Sequence, residues 1–469
     1  LKIGILHFHL KPGGVTTVIR LQVEALDGLA EIAVVTGEQP PGPFPAAVVC
    51  IGDLAYDTRG GGRKPPKDTA REVLDALSRR FGGPPDLLHV HNPLLAKNRH
   101  WLKILAEFQR MGVPLLLHVH DFAEDGRPQS YFREEPYPEN VHYAVINPRD
   151  YRLLEASGLM ADGLHLLPNP VTPIDPPPQE GPRDTVLYPV RAIRRKNIGE
   201  ALLLSLFCRK QDVVAITLPP NSPPDRRAYR AWRSWAETRR LGVRFGAGAR
   251  TPFPTLVGRA RCFVSTSVAE GFGFAFLEPW TAGKPVWGRY IPGILDAFEE
   301  NGVALDHLYT RVRIPLAWHR ADRLRKQFAE CLERAVALYG IPDRRLEPDG
   351  FLETLFAKEW IDFGLLDEPA QVKVLERLVA GAANRRQLLE LNPRIDRFNR
   401  DAFDDRQMED NRRAVLTAYS LHRYRDLLME AYGKVRAAPP VQAIDKARLV
   451  ERFLVPENFS LLKWKPYDG

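Results

Sequence analysis

Seven prolines crowd the stretch "PNPVTPIDPPPQEGPRD" at residues 168–184. No helix interior or central strand accommodates such a run, because each proline removes an N–H and restricts the backbone before it. A chain of 469 residues interrupted there must fold as separate domains on either side of a stiff linker. Before the linker, apolar strands are predicted at 2–6, 31–36, 46–51, 87–90, 114–119, 142–146 and 163–167, alternating with amphipathic helices at 15–26, 68–81, 98–111 and 148–157. After it the alternation restarts, with strands at 186–189, 213–217, 243–245, 262–265 and 285–287 and helices at 198–208, 225–239 and 254–258. Such βα alternation predicts an α/β protein with two mostly parallel, doubly wound sheets. Open sheets of this kind bind ligands beyond the carboxyl ends of their strands. From about residue 318 the pattern turns helical.

Composition narrows the function classes. Hydrophobic content of 44% and charged content of 26% suit a packed globular protein, and no apolar run reaches membrane-spanning length. The opening "LKIGILHF" reads as a strand and not as a signal peptide. Cys50, Cys208, Cys262 and Cys331 form no CxxC pair, which predicts reduced, buried thiols and a cytoplasmic location. A net charge of +8 fits nucleic acid, an anionic membrane surface or anionic small substrates, or else a plain solvated surface. The longest basic runs are "IRRKN" and "RLRKQ", and no aromatic-basic module accompanies them, so nucleic acid is not expected as a partner.

Four clusters fall at predicted strand ends. In "LHFHLKPGGVTTVI", Gly13 and Gly14 precede a helix, where backbone N–H groups face an anion readily; the same pair also serves a plain tight turn. In "LLLHVHDFAEDGRP", His120, Asp121 and Arg127 follow a buried strand. His89 and His91 add further imidazoles, but no compact spacing such as HExxH points to a metal, and none is expected. In "LYPVRAIRRKNIGEAL", Arg191 and Lys196 offer a fork and a point charge suited to a diphosphate, or else ordinary solvated charge. In "AEGFGFAFLEPW", Glu270 and Glu278 flank Gly271, Phe272, Gly273 and Phe274. The glycines permit close backbone approach, and a helix starting near Ala275 would aim free N–H groups at an anion.

Taken in order, "GGV", "HD", "NPV", R-x4-K, "EGFGFAFLE" and "AGKPV" resemble the retaining glycosyltransferases of the GT-B fold, family 4 most closely. The resemblance covers residues 1 to about 295 and returns near 411–435. It departs at Pro279, where the family usually has a small residue, and in the 300–400 segment. It implies a Rossmann-like acceptor-side domain over 1–175 and a Rossmann-like nucleotide-sugar domain over 176–435, facing across a cleft. A helical insertion near 300–400 and a tail at 436–469 packing back on the first domain complete the expected organisation.

The resemblance also implies roles. Arg191 and Lys196 would hold the donor diphosphate, Glu270 the sugar hydroxyls and Glu278 the ribose. The backbone at 271–274 would support phosphate and sugar, with Gly13 and Gly14 alongside and His120 near the reacting carbon. Lys97, Asn98, Asp121 and Arg127 are candidates for the acceptor. The activity so implied is a cytoplasmic, metal-independent retaining transfer of a hexose from a nucleotide-diphosphate sugar to a small soluble hydroxyl acceptor, with no further cofactor. Readings in other classes are a non-catalytic nucleotide-sugar or nucleic-acid binder, a phosphorylase and a sugar-nucleotide epimerase; no pyridoxal-lysine signature is seen.

Overall fold

A computed structural model describes residues 1–178, 182–341, 348–398 and 403–467. Positions 179–181 of the proline-rich linker lie outside the described residues, as do parts of the 300–400 segment. The chain divides into two compact units, the first comprising Leu1–Pro170, Leu338–Ile341 and Tyr419–Phe453, the second Val171–Ala337, Pro342–Ala418 and Leu454–Gly469.

The first unit is built on seven parallel strands: β1 (Lys2–His7), β2 (Glu31–Thr36), β3 (Ala47–Cys50), β4 (Leu87–His91), β5 (Leu115–Val119), β6 (His142–Val145) and β7 (Leu164–Leu166). Their order is β3-β2-β1-β4-β5-β6-β7. β1 pairs with β2 at Ile5–Val34 and with β4 at Ile5–His89. Four helices, α1 (Gly14–Ala25), α2 (Pro66–Phe81), α3 (Trp101–Arg110) and α4 (Pro148–Glu155), connect them. The central strands β4, β5 and β6 are wholly buried, as expected of a parallel sheet covered on both faces, whereas the edge strand β3 is half-buried. Gly4 allows close packing over β1, since a Cβ there would lie 2.6 Å from Leu88 Cδ2 and 2.7 Å from Leu77 Cδ1.

The second unit holds five parallel strands: β8 (Thr185–Arg191), β9 (Val213–Leu218), β10 (Val243–Phe245), β11 (Ala260–Ser265) and β12 (Val286–Gly288), in the order β10-β9-β8-β11-β12. Helices α5 (Ile198–Ser205), α6 (Pro223–Thr238), α7 (Phe253–Arg259) and α8 (Glu278–Thr281) follow successive strands. Pro189 sits where the β8–β9 register shifts between Tyr188 and Arg191, a break in keeping with its missing N–H. Beyond β12 an antiparallel pair, β13 (Arg313–Pro315) and β14 (Trp360–Asp362), is set among the helices of the 300–400 segment.

Both sheets agree with the sequence expectation; three details do not. Tyr419–Phe453 belongs to the first unit, because the Leu421–Ala437 helix buries Tyr424, Leu428, Tyr432 and Val435 and packs on α1, β4 and β5. From Leu454 the chain joins the second unit, so the expected tail is divided between the two. The cysteines are not uniformly buried: Cys262 and Cys331 are, Cys208 is half-buried, and Cys50 at the end of the edge strand β3 is exposed. No helix among the described residues is long and apolar enough to cross a membrane.

Candidate active site

In the second sheet the strand order reverses between β8 and β11, which creates a crevice at their carboxyl ends. Lys196 leaves β8 through a single 3-10 turn (Arg194–Lys196), and Glu270 lies in the loop after β11. The Lys196 Nζ donates to both carboxylate oxygens of Glu270, at 2.5 and 2.6 Å. Their side chains are 14% and 9% exposed, so the pair is desolvated and strongly coupled. Burial alone pushes the Glu270 carboxyl up, but Lys196 and Arg195 beside it outweigh that and hold it below the ordinary carboxylate value. The turn is pinned from beneath. Tyr188 donates to the Lys196 carbonyl at 2.5 Å, and Thr266 donates to the carbonyls of Lys196 and Asn197 at 3.1 Å each. Asn197, left-handed at φ 52°, donates to Glu200 at 2.7 Å and accepts from Gln371 at 2.8 Å.

Glu200 is itself one side of a buried charge triad. Arg289, at the exit of β12, donates through Nε and Nη2 to Glu200 and through Nη1 and Nη2 to Asp362 at 2.6 and 2.9 Å. Tyr309 adds a hydrogen bond to Glu200 at 2.8 Å. The triad thus braces, through Asn197, the turn that carries Lys196.

The remaining candidates of this unit differ in standing. Arg191 Nη1 donates to the Pro219 carbonyl and to Asn221 Oδ1, at 3.1 and 2.8 Å, on the side of the loop after β9. Arg195, not singled out from the sequence, faces Glu270 and keeps a buried Nε without a hydrogen-bond partner among the described residues. Gly273 has φ 106°, a conformation that favours glycine, and it turns the chain from Phe272 into the 3-10 turn Phe274–Phe276. The expected helix near Ala275 is displaced: α8 starts at Glu278 and spans four residues, since Pro279 fits only a first turn. So short a helix sums too few peptide dipoles to act as the anion site the sequence suggested. The half-buried Glu278 has no side-chain partner among the described residues, and burial pushes its carboxyl up to about 7.

In the first unit the order reverses between β1 and β4. Gly13 (φ 175°) is extended and Gly14 opens α1. A Cβ on Gly14 would meet nothing within 4 Å, so the loop leaves open space there. His120, at the tip of β5, is buried and joins a chain of polar groups that the sequence did not reveal. His91 Nε2 donates to Gln22 Oε1 at 2.9 Å, which leaves His91 Nδ1 to accept from His120 Nε2 at 2.8 Å. Gln22 Nε2 donates to Tyr432 Oη at 2.7 Å and lies 2.8 Å from His89 Nδ1, and His89 Nε2 lies 3.0 Å from His118 Nδ1. Gln22 therefore fixes the His120 proton on Nε2, with Nδ1 as the acceptor. Burial keeps all of these imidazoles neutral, driving His89 down to about 3 and His120 to about 4.

His89, His91 and His118 bring ring nitrogens within 4.8 Å of one another. Those nitrogens are already committed to Gln22, Tyr432, His120 and one another, and among the described residues only His118 Nε2 has no partner. The arrangement is that of a hydrogen-bonded relay.

The acceptor candidates separate cleanly. Asp121 and Arg127 form an ion pair at 2.7 Å, and Asn92 Oδ1 accepts from the backbone N–H groups of His120 and Asp121 at 2.9 and 3.0 Å. Lys97 is half-buried over the Tyr56 ring, its pKa lowered by burial and by Arg127. Asn98 is structural: wholly buried, it donates to the Asp53 and Ala55 carbonyls at 2.6 and 2.8 Å and accepts from the His100 N–H at 2.9 Å. Its amide has nothing left to offer an acceptor.

Comparison with known proteins agrees with the family resemblance. Residues 13–170 match the glycosyl transferase 4-like domain. A mannosylglucosyl-3-phosphoglycerate synthase from Petrotoga mobilis is 25% identical over 97% of this chain and 96% of its own length. The sucrose-phosphate synthase of Thermosynechococcus elongatus superposes with a TM-score of 0.54 at 15% identity, over 92% of this chain and 98% of its own. A glycosyltransferase from Rickettsia africae gives a TM-score of 0.52 at 11% identity, over the same shares. The fold is that of the GT-B glycosyltransferases.

Proposed function

We propose that this chain, which has the fold of the GT-B glycosyltransferases and resembles them in sequence, is a glycosyltransferase that moves a hexose, with retention, from a nucleotide-diphosphate sugar to a small soluble acceptor that carries a hydroxyl and an anionic group. The observation that carries the reading is the buried Lys196–Glu270 pair at the switch point of the second sheet. An ammonium held beside a crevice is what a departing diphosphate requires, and a carboxylate beside it accepts hydrogen bonds from sugar hydroxyls. On donor binding Lys196 turns to the diphosphate and Glu270 to the sugar. Arg191 and Arg195 add charge, Glu278 holds the ribose, and the backbone at 271–274 lines the phosphates. In the first unit, His120 offers Nδ1 to a sugar hydroxyl, and Gly13 and Gly14 leave room beside α1.

The step is a front-face displacement. The acceptor oxygen bonds to the anomeric carbon on the face from which the C–O bond to diphosphate breaks, and the acceptor proton passes to the departing phosphate oxygen. Protein cations supply the charge stabilisation, so metal is not required. An anionic acceptor is supported by the name of the Petrotoga relative, a phosphoglycerate glycoside synthase. Incubation with ADP-, GDP- and UDP-hexoses and with phosphorylated acceptors tests the reading. Acceptor-dependent release of nucleoside diphosphate and a product of unchanged anomeric configuration are expected. Binding without turnover marks a carrier, phosphate-dependent release of hexose phosphate marks a phosphorylase, and conversion of donor without acceptor marks an epimerase. Each of these outcomes overturns it.

A further inference from the structure

The 300–400 segment, for which the sequence suggested no function, encloses with the exit of β12 a hollow of about 620 Å³ in the second unit. That volume suits a small ligand and not a polymer. Its wall carries Arg311, Arg313, Lys358 and Arg394 around Trp360. Lys358 Nζ stands 4.7 Å from the indole centroid, Arg313 Cζ 5.1 Å and Arg311 Cζ 5.9 Å. None of these three cations has an ion-pair partner among the described residues. Among the described residues the one acid lining the hollow, Asp362, is spent: both its oxygens accept from Arg289, and Oδ1 also accepts from the Val312 and Gly364 N–H groups. Uncompensated cations gathered on a concave wall raise its potential and concentrate anions there. Solvated surface charges, by contrast, spread apart.

The hollow also reaches Val268, two residues before Glu270, in the loop that leaves β11. Val268 N–H donates to the Arg195 carbonyl at 3.0 Å, which ties this wall to the Lys196 turn. We propose that this hollow is the anion subsite of the acceptor, taking its phosphate or carboxylate group through Arg311, Arg313 and Lys358, with Trp360 as the platform that holds the three cations in place. The proposal rests on the glycosyl-transfer reading for naming the ligand as acceptor; the binding itself does not.

The test uses the full chain and the double variant Arg311→Gln/Lys358→Gln, whose side chains lie at the hollow's wall and outside the core. Melting temperature is read with 3-phosphoglycerate, inorganic phosphate, glycerol as the neutral control, and the nucleoside diphosphate that binds best. The expected result is a rise with 3-phosphoglycerate for the unsubstituted protein, at least tenfold weaker in the double variant, and none with glycerol. An equal rise from inorganic phosphate at the same concentration shows an unselective charge effect and overturns the acceptor assignment. Undiminished stabilisation of the double variant by 3-phosphoglycerate overturns the subsite, as does no response of the unsubstituted protein. An intact nucleotide response in the double variant shows that it is folded. Absence of any nucleotide response in the unsubstituted protein would instead count against the glycosyl-transfer reading, so the two failures are told apart.

Discussion

The two units bury polar groups in opposite ways. The first threads neutral imidazoles, an amide and a phenol into a hydrogen-bonded relay: His120, His91, Gln22, Tyr432, His89 and His118. The second buries full charges in pairs: Lys196 with Glu270, Arg194 with Glu368, and Arg289 with Glu200 and Asp362. Neutral relays fix proton positions at low desolvation cost, whereas ion pairs hold charge ready for an anion but need every partner present.

The contrast makes the largest expected effect one of pH. Folded imidazoles with depressed pKa values stabilise the protein above the unfolded value of about 6.5, and that stability is lost as pH falls toward the folded values. Those are about 3 for His7 and His89 and about 4 for His120, with His91 and His118 also well depressed, all by burial first. Each such group costs up to about 1.36 kcal/mol per pH unit below 6.5, so together they amount to several kcal/mol by about pH 5.5. Glu124, pushed up to about 7 by burial, and Asp150, also raised, work the other way but are two groups against five. In the second unit, the depressed Glu270 matters only below about 4.5, the raised Glu278 gains stability as pH falls from about 7, and Glu200, also raised by burial, works in the same direction. Hydrogen exchange compared between pH 7 and pH 5.5, corrected for intrinsic rates, should show the first-unit sheet losing protection while β8 and β11 keep theirs. Loss in both sheets together, or in the second one first, contradicts the neutral relay.

Next in size is Arg289→Met. It leaves Glu200 and Asp362 facing each other in the core without a cation, which is expected to cost about 3–5 kcal/mol. The urea midpoint of the second unit reads this, and a loss under about 1 kcal/mol would mean that the triad is not the brace described. Replacing all three residues by apolar ones of matching volume should recover much of the loss, because the penalty comes from stranded charge. In the relay no single substitution strands a full charge, so no comparable cost is expected there.

Lys196→Ala follows, acting on rate. Removing one preorganised donor to the leaving group typically raises the barrier by about 2.7–4 kcal/mol, a loss of roughly 10²–10³ in turnover. Glu270→Gln should lower turnover as well, and because its amide oxygen accepts from Lys196 but supplies no counter-charge, some loss of stability in the second unit is expected beside it. Arg191→Ala is expected to lose less, since its guanidinium is turned to the loop after β9 and contacts solvent. Equal losses for Arg191→Ala and Lys196→Ala would show that the guanidinium swings in when donor binds.

Legibility from sequence followed range along the chain. Both sheets were visible because periodicity and the proline break are local signals, and Lys196 and Glu270 could be singled out because glycines and charges cluster at strand ends. The start of α8 was placed near Ala275 and not at Glu278, because the glycine-rich approach outweighed the sign that Pro279 gives, a residue that fits only a first turn. Asn98 looked like a ligand group because a polar residue at a predicted helix start carries no mark of being wholly enclosed. The relay was invisible for a different reason. Gln22 lies 67 residues from His89 and 410 from Tyr432, and no spacing rule links a helix glutamine to a tyrosine at the far end of the chain. Arg195 was hidden among its neighbours: in "RRK" Arg194 pairs with Glu368 and Lys196 with Glu270, while Arg195 adds its charge to that same Glu270.

The smallest expected effects concern the relay itself, and they sharpen the contrast between neutral and charged burial. Tyr432→Phe removes one hydroxyl but leaves Gln22 Nε2 to donate to His89 Nδ1, so the expected cost is about 0.5–1.5 kcal/mol, that of an ordinary hydrogen bond. Gln22→Leu should cost more, about 1–3 kcal/mol for the one buried nitrogen it strands, His91 Nε2, since Tyr432 Oη at 2.9 Å still serves His89 Nδ1. It should also release the His120 tautomer, since nothing then obliges His91 to accept at Nδ1. Nitrogen-15 shifts of the His120 ring report that directly: protonation at Nε2 alone is expected in the unsubstituted protein and in Tyr432→Phe, and a mixture in Gln22→Leu. A pure Nε2 tautomer in all three would mean that local contacts, and not the relay through Gln22, set the proton, and the first unit's buried polarity would then be packing without transmission.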